Sequence, residues 1–139
     1  MTLPAKVDEC FNETIYEEYT KALTIFYKNN KSRKKARIEN LCEQFFPNKT
    51  INDLKTLRYQ LLYYLAGSIK EAEKIGGIAF MPIIVFKTKE FNTNRGEANK
   101  RDYIEFIKLL GFKKEEKEGK TIYFKSFGST DVYSCYIEI

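Results

Sequence analysis

Six cations fall within ten residues of this chain, Lys28, Lys31, Arg33, Lys34, Lys35 and Arg37, and no acidic residue interrupts them. The block alone exceeds the net charge of the whole chain, +5, so the remainder is close to neutral. Clustered positive charge attracts phosphates or an acidic protein surface, and the interleaved Asn29, Asn30 and Ser32 offer hydrogen bonds to phosphate oxygens. A solvated inter-helix loop is the plain alternative. No zinc finger, R-G-F-type RNA motif or clear helix-turn-helix is present to read bases, so a nucleic-acid contact made here is mainly to the backbone.

Other chemistry is restricted by what is missing. The chain has no His, which removes the commonest general base, the Ser-His-Asp triad, the Cys-His dyad and the commonest zinc ligand together. Cys10, Cys42 and Cys135 are odd in number and widely spaced, so they suggest buried free thiols rather than a disulfide framework or a zinc site. Arg58 and Gln60 are polar positions on an otherwise apolar helical stretch; buried, they need partners, and at the helix rim they meet solvent or a carboxylate. Beside them Tyr59, Tyr63 and Tyr64 suit a core or an interface better than a base-stacking platform.

The elements that must position these residues can be read from periodicity. At 139 residues, 43% hydrophobic and with only seven Gly and three Pro, the chain is expected to form a single domain over 1–139. Ala5-Lys6-Val7 is strand-like. From Glu13 a helix follows through Ile15, Tyr19, Ala22, Leu23 and Phe26, capped by Asn12 or Thr14. A second passes through Ile38, Leu41, Cys42 and Phe45 and is closed by Pro47. Thr50 and Asp53 resemble a capping box opening a long helix, Ile51 to Ile75, that stops at Gly76-Gly77. Ile78 to Phe86 is an apolar strand in which Pro82 argues for an edge or a bulge. A polar loop, Lys87 to Asn99, precedes a helix bearing Tyr103, Phe106, Ile107 and Leu110, with Gly111 after it. Lys113 to Lys120 is charged and is expected as a solvated loop. Strands Thr121 to Phe127 and Val132 to Ile139, joined by Gly128 to Asp131, form a closing hairpin. The fold class expected is α/β, a single layered domain of order β-α-α-α-β-α-β-β, with a short mixed sheet packed by helices and a C-terminal β-hairpin.

Two segments carry a resemblance to a known family. Ala5-Lys6-Val7-Asp8-Glu9 with Phe11, and Arg58-Tyr59-Gln60-Leu61-Leu62 with Ala66 and Glu71-Ala72, resemble bacterial proteins related to the PD-(D/E)xK nuclease superfamily. The resemblance implies that the first segment is the strand of the E-x-K motif and the second the helix packed behind the active site. In that superfamily an Asp and the Glu hold Mg²⁺ while the Lys positions or deprotonates the attacking water. Lys6 matches the lysine, but Pro4 stands at the glutamate position, and only Met1, Thr2 and Leu3 precede it. The implied site, Lys6 with Arg58 and Gln60, is then vestigial and holds no metal. Asp8 and Glu9 could substitute, but successive strand side chains point to opposite faces, so both reach Lys6's face only if the strand ends first.

The leading expectation is a catalytically incomplete nuclease-like protein without a cofactor. It would bind nucleic acid or a nucleoprotein complex through Lys28, Lys31, Arg33, Lys34, Lys35 and Arg37, as a phage or mobile-element inhibitor of bacterial defence of the anti-CRISPR type does. One alternative is an active Mg²⁺-dependent nuclease using Lys6 with Asp8 or Glu9 and Gln60. Another is a homodimeric protein–protein module whose tyrosines form the shared face. With no apolar run long enough for a signal peptide or a membrane span, the chain is expected in the cytoplasm, without a membrane partner.

Overall fold

The computed structural model describes residues 5–6, 11, 13–85 and 93–139, of which 5–6 and 93–96 are described by their backbone alone. Its elements are β1 (Ala5–Lys6), α1 (Ile15–Lys28), α2 (Lys34–Phe45), α3 (Tyr59–Ile75), β2 (Ala79–Val85), α4 (Thr93–Leu110), β3 (Lys113–Lys117), β4 (Lys120–Phe127) and β5 (Thr130–Glu138). They gather into two compact units, residues 11–63 and a sheet unit that combines β1 with residues 64–139. The α/β class and the closing hairpin are as expected from the residues, and no helix among the described residues is long and apolar enough to cross a membrane.

In the unit of residues 11–63, Thr14 caps α1. Its Oγ1 accepts the Glu17 N–H at 3.2 Å while Glu17 Oε1 accepts the Thr14 N–H, a reciprocal pairing that satisfies two otherwise orphaned donors. Ile15, Ala22, Ile38, Cys42, Phe45, Leu54, Leu57, Leu61 and Leu62 are buried here. The long helix expected from Ile51 begins later, at Tyr59. Thr50 and Asp53 do pair, with Asp53 N–H donating to Thr50 Oγ1 at 3.2 Å, yet they open only a run of tight turns through Leu57. The cause is competition for the backbone. Ile15 N–H donates to Leu57 O at 2.8 Å and Tyr59 N–H to Glu13 O at 3.2 Å, so Arg58 bridges Thr14 in an extended pairing that interrupts the helical ladder.

The sheet has the order β1-β2-β5-β4-β3, parallel across β1, β2 and β5 and antiparallel across β5, β4 and β3. One expectation fails here: Lys113 to Lys117, read as solvated loop, is the edge strand β3, paired to β4 through a two-residue turn with positive φ at Glu118 and Gly119. All five residues of β3 are exposed, so no apolar alternation marks it, and its charges guard the edge against pairing with another chain. The last hairpin also turns more tightly than expected, with Phe127 opposite Thr130 and only Gly128 and Ser129 between them. Val7 and Phe86, the ends of two expected strands, lie outside the described residues.

Pro82 sits in β2, which has neighbours on both sides, and the position where its N–H is missing faces away from β5. Val85 O accepts from Ile139 N–H on the β5 side, and alternation along the strand turns Pro82 the opposite way, where the described residues of β1 pair only with Ile84 and Val85.

Helix α4 starts at Thr93, so the loop expected to reach Asn99 ends earlier; Asn99 is buried on the same stripe as Tyr103, Phe106, Ile107 and Leu110. Both α3 and α4 end as their glycines imply. Gly76 (φ 61°) and Gly111 (φ 82°) adopt the left-handed conformation, and the next residue donates five back, Gly77 to Ala72 O at 2.9 Å and Phe112 to Ile107 O at 3.2 Å. Lys125 Nζ on β4 donates to Leu110 O, placing a cation on the negative end of α4.

The core of the sheet unit holds a buried polar chain. Ser134 Oγ donates to Met81 O at 2.7 Å, so its single proton is committed and Tyr103 Oη must donate to Ser134 Oγ, also at 2.7 Å. Tyr103 is fully buried, and burial pushes its phenol well above the usual value. Ser134→Ala strands the buried tyrosine hydroxyl and removes the serine's own bond to Met81 O, and is expected to cost about 1 to 3 kcal/mol in urea unfolding; Tyr103→Phe leaves the serine bond intact and is expected to cost less, about 0.5 to 1.5 kcal/mol. Equal losses would contradict that donor order. Burial also pushes the Cys42 thiol up to about 11, so it stays protonated at pH 8 and is expected to resist a thiol-specific reagent until the protein is unfolded.

Candidate nucleic-acid interface

The six cations of the basic block join the end of α1 to the start of α2. Lys28 closes α1, Lys31 lies in the connecting turn, Arg33 is the residue before α2, and Lys34, Lys35 and Arg37 occupy its first turns. The turn is built by Asn29: its Oδ1 accepts the Lys31 N–H at 3.1 Å and its carbonyl accepts the Ser32 N–H at 3.0 Å.

The block divides into two sets. Lys34 pairs with Glu18 at 3.0 Å and Lys35 with Glu39 at 2.7 Å, and the Lys35 ammonium also lies 5.2 Å from the centre of the Phe26 ring. The bond to Glu39 is the main reason that Lys35 is held above its ordinary pKa. These two cations are part of the α1–α2 packing, and their charge is largely answered within the chain. Lys28, Lys31, Arg33 and Arg37 are exposed and make no ion pair among the described residues. Arg37 is near enough to Tyr59 to oppose the burial that raises that phenol.

Arg33 and Arg37 stand at the start of α2, where a helix tolerates cations least, whereas Lys28 in the last turn of α1 is favoured there. The first turn of α2 contains no acid, and Arg33 is already helical (φ −93°, ψ −3°), with no side-chain bond to the free N–H groups. Helix starts carry partial positive charge and favour anions, so the cations here repel the dipole and one another. The arrangement suits an anion supplied from outside.

An aromatic ring that residue patterning had not singled out adjoins the block. Tyr27, immediately before Lys28, is 84% exposed, and its one ring contact among the described residues is an edge to Phe26 at 6.5 Å between ring centres. Its signal was its position, a tyrosine next to a run of cations, masked by the helical stripe that accounts for its neighbour Phe26. The other tyrosines are less available for stacking: Tyr59 is half-buried and Tyr63, though exposed, lies against it at 6.3 Å.

Of the residues tied to the nuclease resemblance, Lys6 lies in β1 of the sheet unit, opposite Val85, while Arg58 and Gln60 lie in the other unit, at the bridge to Thr14 and in the first turn of α3. Pro4, Asp8 and Glu9 lie outside the described residues. No group of three or more acids or cysteines that could hold a metal ion occurs among the described residues.

A mixed α/β protein that presents an open cationic surface at a helix start is the class these observations describe. The chain belongs to the DUF6946 family, described as a domain of unknown function, which matches residues 1–139. No curated protein and no solved structure matches the chain.

Replacing Arg33 by Glu exchanges a repelled charge for a favoured one, and is expected to stabilise the protein by about 0.3 to 1 kcal/mol in urea unfolding at low salt, with the gain shrinking as salt is added. A loss of stability would show that Arg33 is held by interactions other than those described above.

Proposed function

We propose that the protein binds single-stranded nucleic acid through the backbone, using the surface formed by the end of α1 and the start of α2. The observation that carries this reading is the unanswered charge of Lys28, Lys31, Arg33 and Arg37 beside the exposed ring of Tyr27. Cations track phosphates regardless of sequence, and an exposed aromatic gives a base a surface to stack on, a combination that suits unpaired strands better than a duplex whose bases are already stacked. The same surface would dock on the RNA of a nucleoprotein effector, the setting of a small inhibitor of nucleic-acid-targeting defence. In line with the resemblance around Lys6, we read the protein as a nuclease relative that holds its strand without cutting it.

Fluorescence polarisation with labelled single strands of about 20 nucleotides tests this. Reversing Lys28, Lys31, Arg33 and Arg37 together to Glu is expected to lower affinity at least about tenfold and to flatten the salt dependence, whose slope shrinks by about 0.7 for each phosphate that is no longer neutralised. Tyr27→Ala is expected to weaken binding by about 1 to 3 kcal/mol with the salt slope unchanged. Binding that survives the four reversals would refute the reading, and strand cleavage in Mg²⁺ abolished by Lys6→Ala would overturn its non-catalytic part.

A further inference from the structure

The sheet unit contains a second feature with ligand chemistry, independent of the basic block. A cleft of about 810 Å³ opens between α4 and the strands β3, β4 and β5, within the size range of small-molecule sites. Its helical wall presents Lys100, Ile104, Ile107 and Lys108, spaced so that they share one face of α4. The facing wall includes Tyr123 and Tyr136, whose rings both meet Tyr103 of α4. Tyr136 Oη is buried and has no hydrogen-bond partner among the described residues.

Charge selects the occupant. Lys100, Lys108, Lys114 and Lys120 line the cleft against one acid, Glu138. Lys114 reaches Glu116 at 3.3 Å in a largely exposed pair of small effect, and Lys100, Lys108 and Lys120 are exposed and make no ion pair among the described residues. A single carboxylate would leave most of this charge unanswered, whereas two or three linked phosphates would not. Apolar side chains on both walls provide for a flat body between them, and a polyanion with a flat heterocyclic body is a nucleotide.

We propose that this cleft binds a nucleoside di- or triphosphate, with the base between the Ile104 and Tyr123–Tyr136 walls and the phosphates among Lys100, Lys108 and Lys120. The full chain titrated with a fluorescent N-methylanthraniloyl ADP at low salt is expected to show saturable binding that ATP displaces. Pyrophosphate should compete at least about tenfold less well, because it lacks the base, and palmitate should not compete. The Lys108→Glu/Lys120→Glu pair and, separately, Ile104→Trp, which fills the slot, should each weaken binding about tenfold or more while thermal unfolding remains cooperative. If the tryptophan variant fails to fold, the exposed lysine pair carries the test alone. The four reversals in the basic block should leave this binding unchanged, which separates the cleft from the strand-binding surface. No saturation by about 1 mM, competition by pyrophosphate or palmitate equal to that of ATP, or undiminished binding by the folded lysine variant would each overturn the assignment.

Discussion

The sheet unit is organised around one buried proton donor chain, from Tyr103 through Ser134 to the carbonyl of Met81. It ties the middle of α4 to β5, the central strand of the sheet, and β5 to its parallel neighbour β2. A polar group at such a site is costly unless every member is satisfied, and here each hydroxyl proton has one acceptor. Because the hydrogen bonds are directional, they set the rotation of α4 on the sheet, which apolar packing alone specifies less sharply. That rotation brings Tyr103 against Tyr123 and Tyr136 and turns Lys100, Ile104 and Lys108 toward the cleft.

The smaller unit shows the opposite strategy. Its core is apolar and its first helix is well capped, yet the start of α2 breaks the usual electrostatic rule with uncompensated cations. Two of the six charges are absorbed by Glu18 and Glu39, which keeps α1 and α2 together. The other four are left to solvent. Local frustration of this kind, confined to the junction of α1 and α2 in an otherwise consistent unit, is where proteins commonly place function rather than stability.

Much of this was legible from residue spacing because apolar periodicity and glycine have strong local meaning. The helix ends at Gly76 and Gly111, the stripe from Tyr103 to Leu110 and the closing hairpin all followed from them. What escaped was set by tertiary context. β3 has no buried side chain to betray it, the start of α4 was hidden by the polarity of buried Asn99, and the start of α3 is decided by backbone contacts with the segment before α1. In the basic block, composition located the charge but could not separate the paired lysines from the open ones, because Glu18 is brought to Lys34 only by the packing of α1 on α2.

The bond from Lys125 to the last carbonyl of α4 has a kinetic meaning as well as a static one. Lys125 is fifteen residues beyond Leu110 and reaches it only from its place in β4. Helix α4 therefore lacks this cap until the hairpin strands are laid down, and within β4 the Lys125 cation has the ring of Phe127 but no carbonyl of α4 until the helix has docked. Neither element gains the bond by forming alone, which favours concerted, cooperative assembly of helix and hairpin over stepwise growth.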